Sequence, residues 1–108
     1  MSMSINDLAK DIHANAVAHG WWENKRSFGE IIALCHSELS EALEADREGQ
    51  ADVYVRSNGK PDGVAVEMID CIIRILDWCE YAHIDVEAVL AMKHNYNKTR
   101  PYKHGKNY

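Results

Sequence analysis

Apolar residues recur at helical steps along most of the chain. Ile5, Leu8, Ile12 and Ala16 follow one another at three- and four-residue intervals and predict a first helix, which Gly20 can terminate. Ser27 followed by Glu30 fits a capping box, in which each side chain satisfies a free backbone donor at the helix start. The helix it opens runs through Ile31, Leu34, Cys35, Leu39, Ala42 and Leu43 toward Gly49. Residues 50–63 contain Ser-Asn-Gly-Lys-Pro-Asp-Gly and read as a loop, with a brief extended piece around Tyr54 within Asp52–Arg56. A third helix is predicted over about residues 64–82. Asp85 is a good N-cap for a fourth, with Val86, Val89 and Leu90 on its apolar side, and Arg100-Pro101 should stop it. The expected architecture is all-α: four helices in a bundle-like arrangement, forming one domain over residues 1–108.

The third helix carries the most information. From Val64 to Cys79, 12 of 16 residues are apolar, and the exceptions are Glu67, Asp70, Arg74 and Asp77. These fall at steps of three, four and three, so they form one narrow polar stripe on an otherwise greasy helix. Such a helix is expected to be largely buried. Burying an unpaired carboxylate costs several kcal/mol or about that order, so the stripe must meet cations, a partner helix or water. Four short elements cannot cover a helix that is apolar nearly all round, which predicts a homo-oligomer.

Composition narrows the class. At 108 residues, 46% hydrophobic and 27% charged, the chain has room for one modest core and is too apolar for disorder. No run of apolar residues is long enough for a membrane span, and the first ten residues, with Asp7 and no apolar run, do not read as a secretory signal, so the expected location is the cytoplasm. Cys35, Cys71 and Cys79 are an odd number without a CxxC pair and read as small core residues. The net charge of -5 divides unevenly: residues 93–108 carry five basic side chains and no acid, on an otherwise acidic body.

Candidate chemistry follows from the acids. Glu38 and Glu41 are three apart on the second helix and point to one side. Facing helices would bring them to Glu67 and Asp70. Four carboxylates at close range cannot all stay ionised without a cation, and an all-oxygen set suits Mg²⁺ or Mn²⁺ rather than zinc. The plain alternative is a solvated face, with Ser37, Ser40 and Glu44 beside it; Arg74 and Asp77 read as structural ion-pair members. Lys98 and Arg100 are either solvated or bind phosphate oxygens. Nucleic acid is a weak partner for so acidic a body. Trp21-Trp22 is either core or interface, or a stacking surface for a nucleotide base, and His13 is either a structural histidine or part of the same site.

With these residues in hand, the sequence resembles the MazG-like all-α nucleoside triphosphate pyrophosphatase superfamily. Its hallmark is Glu-x-x-Glu on one helix and Glu-x-x-Asp on the next, here Glu38/Glu41 and Glu67/Asp70. The likeness extends to GWWENKRSFGEIIALCHSELSEALE, GKPDGVAVEMIDCIIRILD and KHNYNKTRPYKHGK, in that order. It implies hydrolysis of a nucleoside triphosphate to the monophosphate and pyrophosphate, with Glu38, Glu41, Glu67 and Asp70 as Mg²⁺ ligands, Mn²⁺ being a substitute, in a homodimer or homotetramer. It also implies that His13 and Trp22, whose spacing to each other and to Glu38 matches the dCTP pyrophosphatase branch, contact the nucleotide, and that Asn95, Lys98 and Arg100 form a phosphate-binding tail. That branch has a second Trp seven residues after the second Glu; here the position is Glu48. The competing reading is a non-catalytic helical interaction or regulatory module. A di-iron bundle would need Glu-x-x-His, which neither acid pair supplies.

Overall fold

A polar side chain fixes the start of three of the four helices. The computed structural model describes residues 3–107. Helix α1 spans Ile5–Ala18 and opens on Ser4, whose hydroxyl accepts from the Asp7 N–H at 3.1 Å while the Asp7 carboxylate accepts from the Ser4 N–H at 3.4 Å. That is a full capping box. Helix α2 spans Phe28–Arg47 behind Ser27. Here the expected box is only half made: the Ser27 hydroxyl accepts from the Glu30 N–H at 3.2 Å, and the Glu30 carboxylate takes the Ser27 hydroxyl instead of the backbone N–H. Helix α4 spans Val86–Lys98 and is capped by Asp85, which accepts from the Ala88 N–H at 3.1 Å.

Helix α3, Val64–Tyr81, starts differently. Its N-cap is Gly63, with no side chain to offer; the Val64 and Ala65 N–H groups donate instead to the Ala51 and Asp52 carbonyls at 3.2 and 2.9 Å. This fold-back passes through a small antiparallel hairpin, β1 (Tyr54–Val55) and β2 (Pro61–Asp62), with Tyr54 opposite Asp62. The extended piece at Tyr54 was expected; its partner at 61–62 was not, because one of its two residues is a proline and two-residue strands carry no alternation to read.

Helix α3 lies between α1 and α2, and α4 rests on α1. The start of α4 is tied to α1 by paired hydrogen bonds: Asn6 Nδ2 to Asp85, the Asn6 N–H to Glu87, and the Glu87 N–H to Asn6. The core is thin and built from small side chains. Ile31, Cys35 and Cys71 form its centre, with Trp22 and Trp78 packed against it. Ala9, Ala42 and Ala45 are buried as well, so the helices approach closely there. The cysteines are free, with Cys35 and Cys71 buried and Cys79 half-buried.

One expectation is corrected. Helix α3 is not largely buried within this chain: only Cys71 and Leu76 are, while Met68, Ile69, Ile72 and Ile75 are 46–50% exposed. Leu39 and Leu43 of α2 are exposed too. With α4 set against α1, no element among the described residues covers this side of α3. Among the described residues, no helix is long and apolar enough to cross a membrane.

Gly63 is irreplaceable at the loop–helix junction. Its φ is +122°, and a Cβ there would meet the Ala51 and Asp52 carbonyl oxygens at 2.5 Å. Gly63→Ala should therefore destabilise the protein by about 2 kcal/mol or more, lowering the melting temperature by roughly 10 °C in thermal unfolding followed by circular dichroism. An unchanged melting point would mean that the fold-back is not what holds the start of α3.

Candidate functional site

The polar stripe of α3 faces α2 and α1 and lines a cleft between the three helices. The cleft has a volume of about 780 Å³, and Glu38, Asp70, Arg74 and Asp77 lie in its wall. That is the size of a small-molecule site.

At one part of this stripe the acids converge. Carboxylate oxygens of Glu38, Glu67 and Asp70 all lie within 4.8 Å of one another. Glu38 is 8% exposed and comes from the face of α2 that packs on α3; the other two come from successive turns of α3. The structure thus brings together three of the four acids singled out in the sequence. The fourth, Glu41, is exposed but lies beside Glu67, outside the three-oxygen group. Electrostatic strain is evident in the protonation of these groups. Burial, reinforced by Glu41 and Asp70, pushes the Glu67 carboxyl up to about 7. Burial also raises Asp70, with Glu38 adding to the effect and Arg74 opposing it. Arg74 answers the cluster directly, its Nε donating to Glu38 Oε1 at 2.9 Å, and Lys60 adds a weaker attraction to Asp70.

A further acid was invisible in the sequence. Asp62, at the end of β2, is 5% exposed and lies next to Glu67. A hydrogen bond from Arg56 Nε at 2.6 Å, together with the Gly63 N–H at 2.9 Å, holds its carboxyl below the usual carboxylate range. Asp62 is therefore a fixed, compensated charge beside a raised one. Its only signal would have been the knowledge that the loop folds back onto the start of α3.

The aromatic residues divide. Trp22 packs inward, stacked on Tyr81 with ring centroids 4.3 Å apart, and its Nε1 donates to both oxygens of Asp77 at 3.0 and 3.1 Å. His13 Nδ1 meets the same Asp77 at 2.7 Å, and the two rings sit edge to face at 5.4 Å. A carboxylate acceptor makes Nδ1 the protonated nitrogen, leaving Nε2 free. Asp77, read as an ion-pair member, thus joins His13 and Trp22 into one cluster and reaches the cleft itself. Trp21 takes the other role: it is 51% exposed and lines the cleft with Arg26. Asn95, Lys98 and Arg100 lie elsewhere. Asn95 and Lys98 are exposed on α4, and the Arg100 guanidinium stands 5.9 Å from the Tyr96 ring centroid; none of the three lines the cleft.

The donor set fits a hard divalent ion. Oxygens around octahedral Mg²⁺ lie about 3 Å apart when adjacent and about 4 Å when opposite, so a trio within 4.8 Å would have to draw together by up to about 2 Å to hold one ion. Comparison with family models, curated proteins and solved structures finds no match to this chain.

The protonation of Glu67 gives a signed test in metal-free buffer. Its carboxyl titrates near 4.5 when free and near 7 in the folded protein. Between those values the folded state keeps a proton that the unfolded state sheds, so this stabilisation is complete below about pH 4.5 and is lost as pH rises through about 7. Glu67→Gln should therefore raise the melting temperature at pH 8 and change it little at pH 4. A lower melting temperature at pH 8 would show that the Glu67 carboxylate is not under repulsion.

Proposed function

We propose that this protein is a Mg²⁺-dependent nucleoside triphosphate pyrophosphohydrolase of the MazG-like all-α superfamily, Mn²⁺ serving as a substitute ion. The observation that carries the reading is the convergence of Glu38, Glu67 and Asp70 oxygens beside a cleft large enough for a nucleotide. The four-helix frame and the order of the acid pairs along it agree with the sequence resemblance.

In this reading Glu38, Glu67 and Asp70 hold the ion. When bound, it neutralises triphosphate charge and lowers the pKa of a coordinated water. Glu41 stands beside Glu67 but outside the trio, which leaves its carboxylate to orient or deprotonate the attacking water. Asp77 lies in the cleft wall and anchors His13 and Trp22 behind it, so these two rings, which do not line the cleft, would act on the nucleotide through Asp77. The acid cluster favours this reading over a non-catalytic interaction module, since a docking surface gains nothing from carboxylates crowded enough to raise one to about 7.

The exposed apolar faces of α2 and α3 belong, in the same proposal, to a homodimer or homotetramer. Met68, Ile72 and Ile75 follow at steps of four and three and form one stripe with Ile69 beside it. Each is already about half buried, so covering the rest contributes about 1 kcal/mol per side chain. Light scattering should give a multiple of 12.3 kDa, and Ile72→Glu should shift the protein toward monomer. A wild-type monomer at micromolar concentration would remove this part of the proposal.

A panel of nucleoside and deoxynucleoside triphosphates with Mg²⁺, scored for pyrophosphate release, tests the activity. Glu38→Gln should lower turnover by about a hundredfold or more. Mg²⁺ affinity by calorimetry should fall about tenfold per pH unit below pH 7, because the ion must displace the Glu67 proton, and should level off above it. No turnover on any nucleotide, with no Mg²⁺ binding, would favour the interaction module.

A further inference from the structure

The cleft contains a second charged feature besides its acids. Only two cationic side chains line it among the described residues, Arg26 and Arg74, and both sit on the same indole. Their guanidinium carbons lie 5.2 and 5.9 Å from the centroid of the Trp21 ring, within cation–π range. Each is anchored through Nε and keeps its terminal amino groups for another partner. Arg26 Nε donates to the Trp21 carbonyl at 2.6 Å, and no ion pair among the described residues engages this side chain. Arg74 Nε donates to Glu38 Oε1, which compensates its charge in part.

Each guanidinium carbon lies within about 6 Å of the same ring centroid, so two like charges share one wall of the cleft. The cleft's carboxylates do not compensate Arg26. Asp11 of α1, and Asp70 and Asp77 of α3, line the same space but none pairs with it. Planar, always-charged forks with free donor edges bind phosphate oxygens in pairs. We propose that Arg26 and Arg74, held on Trp21, form an anion site for a diphosphate group, the phosphate chain of a nucleotide. This deepens the nucleotide reading of the cleft and rests on it. The cleft is then divided by charge, with arginines taking the phosphates and carboxylates taking the divalent ion. Arg74 belongs to both halves: its Nε holds Glu38, and its terminal amino groups remain for the phosphate.

The test uses the full chain, metal-free buffer and inorganic pyrophosphate as probe, read by calorimetry and by tryptophan fluorescence. Glu38→Gln removes the carboxylate that competes for Arg74, so this variant should bind pyrophosphate about tenfold more tightly than wild type. Adding Arg26→Gln or Arg74→Gln to Glu38→Gln should weaken that binding by about tenfold each, and Arg26→Lys should restore part of it. Inorganic phosphate should bind more weakly than pyrophosphate. Circular dichroism melts verify folding; if Arg74→Gln fails to fold, Arg26→Gln, at a loop side chain outside the core, decides alone. Affinity unchanged by Arg26→Gln, or lost instead through Lys98→Gln and Arg100→Gln, would overturn the proposal. Mg²⁺ binding to the wild type without nucleotide is measured separately. Its absence would sink the hydrolase reading, while the pyrophosphate result would still judge the arginines.

Discussion

The central constraint on this molecule is the meeting of like charges between α2 and α3. The two helices pack through Ile31, Cys35 and Cys71, small enough at the cysteines to let the backbones come close. That closeness brings carboxylate oxygens of Glu38, Glu67 and Asp70 within 4.8 Å of one another. Three features of the surroundings contain the repulsion. Arg74 reaches across to Glu38, Asp62 is neutralised by Arg56 before it meets Glu67, and Glu67 keeps its proton to about neutral pH. A fold selected only for stability would replace such a cluster with apolar side chains of similar volume. Its presence beside the cleft is the physical reason to look for a cation.

The cleft organises the remaining polar residues around that cluster. Asp77 lies two helical turns along α3 from Asp70 and gathers His13 of α1 and Trp22 of the α1–α2 connection. Because both donors converge on one carboxylate, the position of Trp22 is set by three contacts: Asp77, Tyr81 and the core. Its neighbour Trp21 then necessarily faces the other way. Adjacent tryptophans thus serve opposite sides of the connection, one closing the core and one opening onto the cleft.

Much of this was legible in the sequence, for reasons that can be named. The helices were, because apolar steps of three and four and the caps at Ser27 and Asp85 are local signals, and α2, α3 and α4 begin and end within a residue or two of expectation. The convergence of three of the four acids was, because acids three apart on each of two adjacent helices share a face, while Glu41 stays outside the group. Four things were not. The partner of Tyr54 depends on the fold-back at Gly63, a long-range contact with no periodic trace. Asp62 acquires its role only through that same contact. The burial of α3 was overestimated because periodicity shows which side of a helix is apolar, and not whether the same chain supplies what covers it. Tryptophan identity likewise could not separate Trp21 from Trp22, since both are equally apolar and only tertiary placement tells them apart.

The attachment of α4 has a consequence for how the molecule opens. This helix buries no residue, and its base is fastened to Asn6 by hydrogen bonds that water can reach. Segments with little buried apolar surface unfold locally at low free-energy cost. Amide protons of Val89 to Lys98 should therefore exchange with solvent well before those of Cys35 or Cys71, and protease nicking should begin in this helix. The lysine-rich end of the chain follows the helix with the least buried surface, while the acids sit on the two helices that pack most closely. The two halves of the charge asymmetry are thereby mechanically uncoupled.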